Sequence, residues 1–188
     1  LFDSTLDGYN SCRDSQEIPL SVELAGPREN IFFDPAKTKA AIVTCGGLCP
    51  GINDVIRSIT MGLYFRYGVK NIIGIKYGFR GLNPDYAHKP VQLSPDIVKD
   101  ITSIGGSILS CSRGHQEIPR LAAALENLNI NILFCVGGDG TMRAAAQLTQ
   151  EIARQNLKIA IVGIPKTIDN DLNLIEKSFG FDTAISET

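Results

Sequence analysis

The chain has 188 residues, 44% of them hydrophobic and 20% charged, with a formal net charge of −2. That length supports one full core or two small ones, and the apolar content excludes a chain that is disordered throughout. No apolar run reaches the roughly 18 residues of a membrane span, and the weak net charge argues against a dedicated nucleic-acid binder while allowing local basic contacts to phosphate.

Residues 1–38 read as an irregular arm. Pro19, Pro27 and Pro35 interrupt it and no periodicity develops, although Glu29–Phe33 is a candidate edge strand. Residues 39–188 read as one α/β domain. Ala40–Thr44 is an apolar, partly β-branched run, which predicts a buried parallel strand. The loop Cys45–Gly51 follows. Ile52–Tyr67 carries Ile52, Val55, Ile56, Ile59 and Leu63 at helical spacing, and Gly68 ends it. Asn71–Lys76 predicts a second strand. Ser94-Pro95-Asp96 predicts a helix start, with Ser94 as cap and Pro95 at the first helical position. Gly105–Gly114 is expected to hold a short strand and a loop, and Ile118–Leu128 an amphipathic helix. Asn131–Val136 is a further strand, Met142–Gln155 a helix and Lys158–Gly163 the next strand. Phe181–Thr188 reads as the first turns of a helix with no stop signal. The chain also begins with Leu rather than Met and shows no leader pattern, so a fragment of a longer polypeptide is expected.

This alternation predicts a Rossmann-like parallel sheet covered by helices on both faces, with an irregular N-terminal arm. Strand order is not readable from it. The five cysteines, an odd number, cannot all pair within the chain, and Cys45 and Cys135 end strand-like runs, so reduced thiols in a reducing compartment are expected. Cys45 and Cys49 lack the second ligand pair of a zinc site.

Each glycine-rich or acidic loop comes just after a strand, which places the loops at one sheet edge, where ligands of open α/β sheets sit. The first, TCGGLCPGIND, matches neither the dinucleotide fingerprint nor the P-loop. It reads equally well as a phosphate site, with the helix after Gly51 supplying N–H groups, and as a tight turn with a helix cap. The second, Gly137-Gly138-Asp139-Gly140-Thr141, suits phosphate oxygens on backbone N–H groups, with Asp139 positioned for Mg²⁺; the plainer reading makes Asp139 a cap. The third, PKTIDND, sets Asp169 and Asp171 two residues apart. One of them is a candidate base and the other a group that orients an Arg or a metal. Lys166 is placed to neutralise a transferring phosphoryl group and Thr167 to hydrogen-bond a phosphate. A solvated acidic turn is the bland alternative. Arg113 is a candidate contact for a phosphate tail, whereas His115 reads as a surface or cap residue.

Taken in order, CGGLCPGIND, YGFRGL, GGSILSCSRG, GGDGT, PKTIDND and FGFDTA resemble the phosphofructokinase family over residues 28–188. In detail the chain is similar to the pyrophosphate-like branch of the ATP-dependent enzymes, over the N-terminal half only. GGDGT alone would not separate this family from NAD or diacylglycerol kinases; PKTIDND does. The resemblance implies magnesium-dependent phosphoryl transfer from ATP to the 1-hydroxyl of fructose 6-phosphate in glycolysis. It implies Gly46, Gly47, Phe79, Arg113, Gly138, Asp139, Gly140 and Thr141 on the donor side, with Asp139 holding the magnesium. It also implies Asp169 as general base, with Lys166, Thr167 and Asp171 in support. Two positions depart from simple patterns. Lys166 stands where bacterial ATP enzymes usually carry Gly, as in pyrophosphate enzymes. Gly140 stands where pyrophosphate enzymes typically carry Asp, leaving room for a nucleotide and favouring ATP over pyrophosphate as donor. A pyrophosphate-dependent enzyme and a non-catalytic nucleotide-binding regulatory subunit are the alternatives; the intact GGDGT and PKTIDND loops speak against the latter. By the same resemblance the full-length protein is expected to be a cytoplasmic, allosteric homotetramer that takes ATP and fructose 6-phosphate and engages neither nucleic acid nor membrane. The chain alone is expected to be inactive, because most fructose 6-phosphate contacts of the family lie in the second half.

Overall fold

A computed structural model of the chain describes residues 26, 28–114, 116–172 and 175–188. Expectations for residues 1–25, Pro27, His115, Asn173 and Leu174 lie outside that range. Among the described residues five strands form one sheet in the order β3-β2-β1-β4-β5. They are β1 (Lys39–Thr44), β2 (Asn71–Ile75), β3 (Val91–Leu93), β4 (Ile132–Gly137) and β5 (Ala160–Pro165). β2, β1, β4 and β5 run parallel, and β3 lies antiparallel on β2. This edge corrects the all-parallel expectation. The three-residue β3 returns through the short helical turns after β2 rather than through a crossover helix.

β1 is central, and Ala40, Ala41, Ile42 and Val43 are all inaccessible to solvent, which is why the strand is apolar on both faces. Alternation then sorts the sheet into two cores. Ala41, Val43, Ile73, Ile75, Leu133 and Cys135 pack with α3 (Ile118–Asn127) and α4 (Asp139–Arg154). Ala40, Ile42, Ile72 and Val136 pack with α1 (Ile52–Met61) and with Val98 of the short α2 (Pro95–Val98). Each buried Ile or Leu contributes about 1.5–3 kcal/mol on transfer from water, so the two faces hold the domain through their aliphatic stripes. Leu109 packs closely over β2. A Cβ added at Gly74 of β2 would lie 2.3 Å from its Cδ2, so the glycine is required for this closure.

Several boundaries differ from expectation. α1 ends at Met61 and widens into a π-turn over Gly62–Arg66, closed where Tyr67 N–H donates to Gly62 O at 3.3 Å. Gly68, with φ 73°, then turns the chain as expected. Glu29–Phe33 forms no strand; Ile31, Phe32 and Phe33 instead line an apolar groove with Phe134 and Val162, and Phe32 is 82% exposed. Gly105–Gly114 also forms no strand. Ser110 takes the left-handed φ of 56°, and the segment crosses the strand ends, where Leu109 O accepts from Tyr77 N–H and Ser112 O from Gly46 N–H. α2 has only four residues, and Ser94 caps it through its carbonyl rather than its hydroxyl. β5 lies two residues later than expected, at Ala160–Pro165. α4 begins at Asp139 rather than Met142, so Asp-Gly-Thr of the second loop is helical. A last helix, α5, covers Phe181–Ser186.

Candidate active site

The carboxyl ends of β2, β1, β4 and β5 share one edge, and the three loops meet there. The connection from β4 to α4 is the shortest. Gly137 is the last strand residue, Gly138 alone intervenes with extended φ −81° and ψ −165°, and Asp139 opens the helix. The first N–H groups of α4 are thereby aimed at the edge, and its positive dipole end with them. Glycine is required at 137, since a Cβ there would lie 2.2 Å from Thr141 Oγ1. Gly140 is different: a Cβ there meets no atom within 4 Å.

This helix start walls a cleft of about 440 Å³, floored by the buried Phe79 and Leu121 and completed by Cys45, Gly46, Ser112, Arg113, Gln116 and Ala144. Desolvation raises the Cys45 thiol to about 12, against smaller opposing hydrogen bonds from the Phe79 backbone and the Thr141 side chain, so it lines the cleft as a neutral group. Burial raises the Cys135 thiol as well. Cys45, Cys49, Cys111 and Cys135 are all free thiols.

A second compartment of about 260 Å³ adjoins the first and shares Gly46, Arg113, Gly138 and Asp139 with it. Its remaining wall is Gly47, Leu48 and the third loop from Lys166 to Leu172. Lys166 is 5% exposed and donates its ammonium to Gly47 O, tying the third loop to the first. Thr167 is also buried. Its hydroxyl donates to Asp171 Oδ1 at 2.6 Å and accepts from Asp169 N–H at 3.2 Å. Asp169 and Asp171 are exposed to the compartment side of the loop. The Arg113 guanidinium lies over the first loop, 3.3 Å from where a Gly47 Cβ would stand.

The structure thus brings Gly46, Gly47, Phe79, Arg113, Gly138, Asp139, Gly140, Thr141, Lys166, Thr167, Asp169 and Asp171 to the walls of one continuous cleft. Two expectations about local geometry change. The helix after Gly51 contributes no residue to either compartment, because α1 is braced elsewhere: Asn53 is buried, donates to Ile104 O at 2.8 Å and accepts from Ile108 N–H at 3.0 Å. The first loop therefore reaches the cleft through Cys45, Gly46, Gly47 and Leu48 rather than through the helix after it. Lys166 and Thr167 have their polar atoms engaged with the protein, not directed solely at the cleft. Sequence reading missed Ser112, Gln116, Leu121 and Ala144, whose only signal was nearness to Arg113 or to a helix start.

For magnesium, the test is the donor set. Among the described residues no three His, Cys, Asp or Glu side chains form a group able to cage a metal. A lone Asp139 at the mouth of a phosphate-sized cleft, with Asp169 and Asp171 across the same compartment, fits an ion held by one or two carboxylates and completed by ligand phosphates and water. No helix among the described residues is long and apolar enough to cross a membrane.

Comparison with known proteins bears on the family and the fold. The chain is 52% identical over 166 residues to an ATP-dependent 6-phosphofructokinase of Borreliella burgdorferi, covering 88% of this chain and 37% of that protein. It is 52% identical over 182 residues to one of Entamoeba histolytica, covering 97% and 41%. The chain thus spans about two-fifths of the length of these relatives. Among solved structures, a pyrophosphate-dependent phosphofructokinase of Marinobacter aquaeolei superposes with a TM-score of 0.70 at 22% identity over 77% of this chain and 37% of that one, a likeness of fold. The T-state enzyme of Pichia pastoris gives 0.68 at 25% identity over 86% and 17%. The sequence pattern described as Phosphofructokinase matches residues 39–188, and the chain belongs to that family.

Proposed function

We infer that this chain is the donor-binding part of an ATP-dependent 6-phosphofructokinase of the pyrophosphate-like branch. The observation that carries the reading is the two-compartment cleft. A helix start and an apolar slot suited to a nucleotide open directly onto a loop with two carboxylates. The γ-phosphoryl of ATP is read at the shared wall, between Gly46, Arg113, Gly138 and Asp139, and the base and ribose over Phe79 and Leu121. Magnesium, held by Asp139 and the phosphates, supplies charge neutralisation when bound.

In this reading Asp169 accepts the proton of the fructose 6-phosphate 1-hydroxyl as that oxygen bonds to phosphorus, when even a weak base suffices. Asp171 orients the acidic loop through Thr167, whose hydroxyl lies between the two carboxylate residues. Lys166 contributes positive charge from beneath the first loop, and Arg113 gathers the phosphate tail. Gly140 is the observation favouring ATP over pyrophosphate, because the space above it is open. Lys166 is the one favouring pyrophosphate. By resemblance the full-length protein is a cytoplasmic homotetramer whose second half supplies most sugar-phosphate contacts.

The test is steady-state phosphorylation of fructose 6-phosphate by the full-length protein with MgATP and with magnesium pyrophosphate. ATP is expected to be the better donor by kcat/KM. A preference for pyrophosphate would reverse the donor assignment, and no turnover with either would leave the regulatory-subunit reading.

A further inference from the structure

FGFDTA and the serine before it form part of the recognisable sequence pattern, yet Ser178, Phe179 and Gly180 line neither compartment. They touch the backs of two loops that do. Ser178 is 5% exposed. Its hydroxyl donates to Thr167 O at 2.6 Å, behind the residue whose own hydroxyl bridges Asp169 and Asp171. The Cys49 thiol donates to Phe179 O at 3.0 Å. Gly180, at φ 82°, lies so close to the first loop that a Cβ would stand 2.2 Å from Pro50 O. The segment is therefore wedged between the glycine loop and the acidic loop.

One side chain closes this wedge. Asn170 stands between the two aspartates with a left-handed φ of 54°, a conformation Asn tolerates better than most residues. Its Oδ1 accepts from Ser178 N–H at 2.7 Å and its Nδ2 donates to Glu176 O at 3.1 Å. Both ends of the amide are used, and both bonds cross from the acidic loop to the segment behind it. Asn170 reaches no cleft wall.

We propose that Asn170 is a positioning residue for phosphoryl transfer: by stapling the acidic loop to Glu176–Ser178 it sets where the carboxylates of Asp169 and Asp171 stand relative to the donor seat. The proposal rests on the functional reading above. Its physical basis is that an acid–base group displaced by about 1 Å loses on the order of 10²-fold in rate, whereas ground-state binding of the donor depends on the other compartment. The staple thus acts on kcat, and the α4 start and Phe79 act on the KM for ATP.

The deciding variant is Asn170→Gly, which accepts the positive φ without strain and removes the staple; Ser178→Ala, which keeps the Ser178 N–H and hence the bond to Asn170, is its companion and removes the separate bond to Thr167 O. Both are made in the full-length protein and assayed with MgATP and fructose 6-phosphate, beside wild type, with thermal denaturation in parallel. Asn170→Gly is expected to lower kcat by about 10²-fold, with the KM for ATP changed less than about threefold. Ser178→Ala is expected to lower kcat by about tenfold with the same split. A lowered Tm with kcat within about twofold of wild type in soluble Asn170→Gly would make the staple merely structural and overturn the proposal. If Asn170→Gly fails to fold, Asn170→Asp, which keeps the acceptor for Ser178 N–H and loses the donor to Glu176 O, decides in its place by the same split of kcat from KM. Absence of ATP-dependent turnover in wild type removes the functional reading, and this inference with it; an active wild type with unaffected variants removes this inference only.

Discussion

The two compartments of the cleft are built by different means. The donor compartment is backbone architecture: a strand, one glycine, a helix start, and a floor of buried Phe79 and Leu121. The acidic compartment is side-chain architecture, a non-repetitive loop held by Lys166 on Gly47 O, Thr167 on Asp171 and Asn170 on Ser178. In the first, position is fixed by packing and the identity of a residue matters chiefly as size. In the second, the functional group itself is what matters. Isosteric substitutions should therefore be harmless on one side of the cleft and severe on the other.

The sharpest test is an isosteric change in the acidic loop. Asp169→Asn in the full-length protein should lower kcat by about 10²–10⁴-fold while KM for both substrates changes little. Retention of more than about a tenth of wild-type kcat, with chemistry rate-limiting, would show that Asp169 is not the base. On the donor side, Gly137→Ala adds only a methyl group, yet it meets Thr141 Oγ1 at 2.2 Å, so denaturant titration should show a loss of about 1–3 kcal/mol. Three residues on, Gly140→Ala meets nothing and joins a helix, and should leave stability unchanged or raise it by up to about 1 kcal/mol. Equal losses at 137 and 140 would break the size argument. Gly140→Asp introduces charge as well as size at the wall of the first compartment, the seat inferred for the donor phosphates. Its kcat/KM with ATP should fall on the order of tenfold, about 1.4 kcal/mol, and more than its kcat/KM with pyrophosphate.

The smallest effect concerns Cys45, on the wall of the donor compartment. Burial holds its folded pKa at about 12, above the 9.0 of an exposed thiol. Between those values the unfolded chain has lost the proton and the folded chain keeps it, so folding stability is intact below about pH 9 and declines as pH rises toward 12. The thiol's share is at most about 1.4 kcal/mol per pH unit in that window. Cys45→Ala should flatten the pH dependence of the denaturation midpoint between pH 8 and pH 10. An unchanged slope would mean that the thiol is hydrated in the folded protein.

Much of this was legible in the sequence, and the reasons are specific. β1 and β4 are apolar on both faces, so their strand character survives any arrangement of neighbours. β5 was misplaced by two residues because Ile164 and Pro165 read as loop, although they still pair with Val136 and Gly137. The Gly105–Gly114 segment carries a strand-like composition, but Leu109 is buried by one side chain over Gly74 rather than by a ladder, a contact 35 residues apart in the chain that no local pattern reports. In the cleft, residue types that bear chemistry were visible from their loops. Their partners were not: the engagement of Lys166 with Gly47 and the support of Thr167 by Ser178 depend on how the strand ends align.

That alignment reaches the cleft at the last rung of the β4–β5 ladder. Gly137 pairs with Pro165 at the end of the β4–β5 ladder, and Lys166 N–H donates to Gly137 O at 2.9 Å. One residue beyond this rung on one strand lies the seat at the start of α4; on the other lies the acidic loop. The rung works as a gauge block between them. Sliding β5 by one residue would move its loop by about 3.3 Å and turn every side chain to the opposite face. The frame that separates the two halves of the cleft is therefore set by main-chain hydrogen bonds, and the side-chain bonds of the acidic loop place its carboxylates within that frame.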